Sequence, residues 1–255
     1  MISLSLPAVD ACPPLDVVPI FTGFARNVLE DVAPGRAWAW DGAAHVLHGY
    51  GMSLLWGPGV QASFEAIADH LRTGAYRDMP EWLQIDPRAG HLDWERALGR
   101  EVERFTRVNF AFDEAAFRAR HAAPKLPQGW SIRALGEAEF DIPAVSVSPK
   151  PFWKSFTDFQ AHGGGVCALK NDEPGAIAFS ATRADDWLEI GIETLAPFRG
   201  RGLARAVAVA MIRKCLDQGL TPVWACRKEN TGSFLLAQNL GFRVTAEIPF
   251  YKLPG

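Results

Sequence analysis

A strand-like alternation over Trp187–Thr194 runs into the stretch Arg199-Gly200-Arg201-Gly202-Leu203-Ala204 and then into an amphipathic helix, and this succession constrains the fold more than anything else in the 255 residues. Glycines so spaced let backbone N–H groups converge on an anion. The helix behind them adds the unpaired N–H groups of its first turn and the positive end of its dipole. The run therefore has the form of a phosphate-binding loop joining strand to helix. Downstream, Leu203, Val207, Ala210, Met211 and Cys215 make an apolar stripe, Arg205, Arg213 and Asp217 take the other face, and Gly219 stands where a C-terminal cap belongs. A second strand, Val223–Cys226, follows, and Asn230 can cap a short helix that ends at Leu240-Gly241-Phe242.

Other loops of this kind fit less well. A dinucleotide fingerprint needs a third glycine, where this chain has Arg205, and an acidic residue closing the next strand, which ends near Cys226. A P-loop needs Gly-Lys-Ser/Thr, which is absent. A plain basic surface turn does not account for a strand, helix, second strand and capped helix falling in register.

The arrangement resembles the GNAT superfamily of acyl-CoA-dependent N-acyltransferases, whose loop Q/R-x-x-G-x-G/A is matched by Arg199, Gly202 and Ala204. The later part of the pattern, Asn230, Ser233, Leu236 and Gly241-Phe242, is similar to that family too. With Ile192-Glu193-Thr194 and Pro222-Val223-Trp224 included, the C-terminal half resembles the subfamily that contains zwittermicin-type self-resistance acetyltransferases. The resemblance implies an α/β (α+β) fold with a mixed, mainly antiparallel central sheet flanked by helices. It also implies acetyl-CoA as cosubstrate and direct acetyl transfer to a small-molecule amine, an amino-acid-like metabolite or antibiotic. Backbone groups of Ile192, Glu193 and Thr194 would take the pantetheine arm. Gly200, Arg201, Gly202, Leu203 and Ala204 would cradle the pyrophosphate, with Arg199 or Arg201 adding charge. Asn230 would cap its helix or, with Ser233, contact the arm.

An amine arrives mostly protonated, so the chemistry needs a base. Glu189 and Glu193 are the candidates, since they share strand parity unless a bulge intervenes. The tyrosine that many members of the family use to protonate the leaving thiolate is replaced by Ala237, with Tyr251 and Ser233 as substitutes. Cys226 reads as inert core, and Trp153, Phe156 and Phe159 read as packing. A catalytically silent acyl-CoA-binding or sensing module is the alternative that Ala237 motivates.

The length suggests two lobes, and Ala122–Gly129, with two prolines and a glycine, is the best boundary. Residues 1–123 would form a smaller accessory lobe and 127–255 the GNAT domain. The first lobe reads as helix Val18–Leu29, strands Ala37–Trp40, Ala44–His48 and Ser53–Trp56, helix Phe64–Thr73, strand Trp82–Ile85, helix Trp94–Phe105 and strand Arg107–Phe112. That order echoes the second half, so the lobe is expected to be a degenerate GNAT-like copy. Its loop, Gly57-Pro58-Gly59-Val60-Gln61-Ala62, loses a donor to proline and should not bind CoA.

A net charge of −3 gives no support for nucleic-acid binding. Four scattered cysteines without a C-x-x-C pair argue for reduced thiols and against a zinc site. His45 and His48 read as partly exposed hairpin residues, and no metal is expected. Met1–Pro7 has no basic segment or long apolar core, so a cytoplasmic protein without membrane contact is expected, while the oligomeric state is unreadable.

Overall fold

A computed structural model describes residues 11–142 and 147–255 and the backbone of residues 2–4. Of the opening Met1–Pro7 stretch, only that backbone is described. By contact the chain divides into two compact units. The first comprises Met1–Asn109 with residues 226–230 and 246–255, and the second Phe110–Ala225 with residues 231–245. Ala122–Gly129 thus lies inside the second unit, and the last ten residues belong to the first. Proline and glycine mark where the backbone turns, whereas a compact unit is defined by which strands share a sheet.

In the first unit β1 (Ile2–Leu4), β2 (Gly35–Trp40), β3 (Ala43–His48) and β4 (Met52–Trp56) pair antiparallel in chain order. Helix α1 (Gly23–Leu29) precedes β2, and α2 (Phe64–Thr73) carries the chain from β4 to β5 (Glu81–Ile85), which pairs parallel with β4. Helix α3 stops at Leu98 (Trp94–Leu98) instead of continuing to Phe105. Gly99 at φ 90 ends it, and Glu103–Phe105 already belong to strand β6 (Glu103–Phe112).

The second unit repeats this succession. After α4 (Glu114–Arg120), β7 (Ser131–Ala134), α5 (Glu137–Phe140) and α6 (Phe156–Ala161) come β8 (Gly165–Lys170), β9 (Glu173–Ala184) and β10 (Trp187–Thr194). Strands β7 to β10 are antiparallel in chain order. Asn171 and Asp172 turn β8 into β9, both at positive φ, as a two-residue hairpin loop requires. Helix α7 (Leu203–Asp217) then leads to β11 (Thr221–Arg227), parallel to β10. Gly219 (φ 70) and Leu220 donate to Leu216 and Cys215 carbonyls, a Schellman close at the expected glycine. Leu203, Val207, Met211, Ile212 and Cys215 are buried, together with Ile177 and Phe179 of β9. Helix α8 (Thr231–Asn239) and strand β12 (Phe242–Leu253) complete the chain, and Phe250–Leu253 pair antiparallel with β5.

His45 and His48 are fully buried in β3, not partly exposed, because β3 lies between β2 and β4. Trp153, Phe156 and Phe159 pack as expected: Trp153 donates to the Ser180 carbonyl (2.7 Å), and Phe156 and Phe159 sit against Phe140. Among the described residues no helix is long and apolar enough to cross a membrane, and no group of three or more His, Cys, Asp or Glu is placed to hold a metal.

The strand-to-helix loops of the two units occupy matching topological positions and differ in kind. In the first unit a Cβ on Gly59 would stand 1.9 Å from the Asp41 carbonyl oxygen, and the Gly59 N–H is bonded to the Gly42 carbonyl (2.8 Å). That loop is packed shut against the β2–β3 turn. In the second, Gly200 (φ 77) and Gly202 (φ 79) face open space, with nothing within 4 Å of an added Cβ. In urea titrations Gly59→Ala should therefore cost about 3 kcal/mol, the upper end of overpacking, and Gly200→Ala only about 1 kcal/mol for its left-handed backbone; equal losses would refute the contrast. Leu253 is buried in the first unit's core with Leu83, Ile85 and Trp94. Leu253→Ala should cost about 2–5 kcal/mol in the same titration, and a loss under about 0.5 kcal/mol would show that β12 is dispensable there.

Candidate functional site

The site begins where β10 leaves β11. Their parallel pairing joins Trp187, Leu188 and Glu189 to Thr221, Pro222 and Val223 and ends there, while both strands continue. From Ile190 onward β10 keeps β9 on one edge, and its other edge has no ladder partner among the described residues. The Leu195 N–H donates to the Gly175 carbonyl (3.0 Å), which fixes the phase of the antiparallel ladder. The backbone groups of Glu193 then face β9, and those of Ile190, Ile192 and Thr194 face the open edge.

Those three residues are not equivalent. The Thr194 N–H donates to Glu193 Oε1 (2.9 Å), and the Thr194 carbonyl accepts from Arg199 Nε (3.1 Å). Arg199 also reaches Glu193 Oε1 at 3.4 Å. Of the predicted backbone contacts, Ile192 is thus the one left available for an extended ligand, Glu193 being used on β9 and Thr194 being closed by side chains. Arg199, 63% exposed, is bound to the end of β10, not extended over the loop. The Arg199–Glu193–Thr194 closure is not readable from spacing, because it needs the 3-10 turn Ala196–Phe198 to bring Arg199 back to the strand.

Past that turn the chain enters α7 through Gly200, Arg201 and Gly202. Gly202 is the N-cap residue in left-handed conformation and offers no side chain to cap the helix. The first turn of α7, which begins at Leu203 and Ala204, therefore has no side-chain cap, and the two glycines before it leave open space where side chains would stand. Arg201 is exposed, its guanidinium 5.6 Å from the Phe198 ring centroid. Leu203 is buried and anchors the helix start. The donors, the exposed Arg201 and the dipole end suit a pyrophosphate, so the residues present fit acetyl-CoA.

The two candidate carboxylates lie in different surroundings. The ladder irregularity falls between Glu189 and Ile190, but its extra residue, Ala181, is on β9. Strand β10 keeps its alternation, so Glu189 and Glu193 share a face. Glu189 is 4% exposed, at the last residue paired to β11; Glu193 is engaged with Thr194 and Arg199.

The remaining predicted residues fall on β11 and α8. Helix α8 starts immediately after Asn230, whose N–H closes a turn on the Arg227 carbonyl (3.0 Å). Asn230 belongs to the first unit and Ser233 to the second. Ser233 Oγ accepts from Trp224 Nε1 (3.1 Å), fixing the start of α8 to β11. The bond between Trp224 and Ser233 escaped sequence reasoning, since an indole on an apolar strand carries no sign of its partner. Ala237 is fully buried. Tyr251 packs in the first unit's core, and burial raises its hydroxyl above the ordinary value, so it is a poor proton donor.

Residues 91–251 match the family model described as GNAT acetyltransferase. The chain is 28% identical over 159 residues to the uncharacterized N-acetyltransferase YdfB of Bacillus subtilis (strain 168), covering 60% of this chain and 59% of that relative's length. Among solved structures, a GCN5-related N-acetyltransferase-like protein from Streptococcus suis 89/1591 superposes with a TM-score of 0.66 at 21% identity over 88% of this chain and 90% of that one. A tandem GNAT protein from the clavulanic acid biosynthesis pathway gives 0.63 at 12% identity over 97% and 91%. These likenesses show the fold, an α/β arrangement with a mixed sheet flanked by helices. With well over half of its length matched by the family model, and with the glycine loop and the parted strands inside that match, the chain belongs to the GNAT acetyltransferase family.

Proposed function

We propose that the protein is an acetyl-CoA-dependent N-acetyltransferase that transfers an acetyl group directly to the amine of a small molecule. The observation that carries this reading is the open, uncapped glycine entrance to α7 beside a strand edge released at Glu189. When bound, acetyl-CoA supplies an acetyl thioester. Gly200–Ala204 would hold its pyrophosphate, and Ile192 its extended arm. Glu189 would accept the proton that the attacking amine loses as its nitrogen bonds to the thioester carbonyl and the C–S bond breaks. Glu193, with its oxygen on Arg199 and Thr194, would hold the loop in place. The thiolate would be protonated by solvent, because Ala237 has no proton to give and a thiol near pKa 8.5 is a tolerable leaving group.

The resemblance to zwittermicin-type self-resistance enzymes supports an amino-acid-like metabolite or antibiotic as the acceptor. Acetyl-CoA utilisation fits a cytoplasmic setting.

Calorimetry with acetyl-CoA and an acceptor-amine screen test this. Gly202→Val should weaken acetyl-CoA at least tenfold, about 1.4 kcal/mol, because a β-branched residue at positive φ is strained and its side chain enters the cradle. Unchanged affinity would remove the loop assignment. Glu189→Gln should lower turnover at neutral pH about 10²-fold or more with acetyl-CoA affinity nearly intact, and raising the pH should recover part of it as more amine becomes neutral. Glu193→Gln should act mainly on acetyl-CoA affinity. Wild-type turnover in Glu189→Gln across pH would overturn the base assignment. Tight acetyl-CoA binding without turnover on any amine would favour a silent acyl-CoA-binding module, the reading to which Ala237 points.

A further inference from the structure

Helix α4 ends at Arg120, and the segment after it lies against α7. Arg213 of α7 ties it there, its guanidinium donating to the carbonyls of His121 (3.3 Å) and Ala122. On the other side His121 Nε2 donates to the Asn239 carbonyl at the end of α8 (2.9 Å). Arg205, Val209 and Arg213 stand four residues apart and share a face of α7. The segment fixed at Arg213 reaches the other two as well, since Arg120, His121, Ala123 and Lys125 line a cavity of about 120 Å³ with Arg205 and Val209. At about 30 Å³ per water of the liquid, it has room for about four waters, enough for a phosphate group.

The charge around this cavity is of one sign. Arg120, Lys125 and Arg205 are exposed, and among the described residues none of the three has an ion pair or a side-chain hydrogen bond. No carboxylate lines the cavity, and the carbonyls of His121 and Ala122 are taken by Arg213. The acids at the start of α4 are engaged elsewhere, Glu114 with Arg118 and Asp113 with Arg243. Three like charges repel one another, although a chain of net charge −3 has acidic side chains enough to pair them. An entering anion would offset that repulsion.

The position of the cavity points to which anion. Arg205 is the third residue of α7, about 4.5 Å along the axis from Gly202 at 1.5 Å per residue. The glycine cradle is therefore less than one helical turn away. In coenzyme A the ribose that carries the pyrophosphate at its 5′ carbon carries a phosphomonoester at its 3′ carbon, so one sugar ring separates the two groups.

We propose that Arg120, Lys125 and Arg205 form a subsite for the 3′-phosphate of acetyl-CoA and make the protein select that cofactor over its 3′-dephosphorylated form. The subsite rests on the acetyl-CoA reading and extends it beyond the glycine loop, because Ala122–Gly129, which the sequence marks only as a boundary, supplies part of a wall. A phosphate dianion accepts charge-assisted hydrogen bonds from two guanidinium groups and an ammonium. A ribose hydroxyl in its place leaves the three cations without a counter-charge.

Calorimetry on the full chain tests this with acetyl-CoA and acetyl-3′-dephospho-CoA, which share thioester, arm and pyrophosphate. Acetyl-CoA should bind about tenfold more tightly or better, and the preference should shrink as salt is raised. The double variant Arg120→Gln/Lys125→Gln, changed only at exposed side chains, should bring the two ligands to within about threefold by weakening acetyl-CoA alone. Gly202→Val should weaken both ligands alike and keep their ratio. Equal tight binding of both ligands by the unaltered protein, or equal weakening of both in the double variant, overturns the subsite and leaves the glycine cradle standing. Failure of both ligands to bind overturns the cradle and the subsite together.

Discussion

Parallel strands hold together only as long as both backbones stay in register, and here β10 and β11 stop pairing after Glu189 and Val223. Everything that makes the second unit a candidate enzyme follows from that divergence. It releases the backbone edge of β10 at Ile190 and Ile192, and it places Glu189 at the point of release. A parallel pair joined by a helix also delivers the helix N-terminus to the same end of the sheet as the released edge. The left-handed glycines at 200 and 202 then keep that end clear of side chains. A single geometric event thus aligns edge, carboxylate and anion cradle.

How much of this was legible depended on whether the signal was local. Helix Phe64–Thr73 and strand Trp187–Thr194 carry their period in their own residues and appear with the expected bounds. So do the glycine entrance to α7 and the close at Gly219. Helix Trp94–Phe105 misled because its apolar spacing runs past Gly99, where positive φ ends the helix before β6 begins. The clamp of Arg199 on Glu193, the Trp224–Ser233 bond and the burial of His45 were invisible for a different reason. Each depends on a partner that tertiary structure, not spacing, brings near.

The two units are a physical comparison within one chain. Both run four strands in three antiparallel pairings, followed by a loop, a helix and a parallel strand. The same topology gives a loop closed on its own hairpin at Gly59 and a loop open at Gly200 and Gly202. What separates them is a few residues of backbone conformation, so topology sets where a ligand site can form and the local sequence decides whether it does.

Membership of the end of β12, from Ala246 onward, in the first unit has a consequence for how the chain is made. Ile248, Tyr251 and Leu253 complete hydrophobic clusters whose other members lie between Cys12 and Val102. A ribosome therefore exposes nearly the whole first unit long before it supplies the strand that closes it, and every residue of the second unit emerges in between. The unit that begins the chain finishes folding last, through contacts of very high sequence separation, which makes its closure slow. During translation the hydrogen-bonding edge of β5 waits uncovered, and chaperone demand should be set by the time needed to synthesise the intervening residues rather than by the stability of the finished protein.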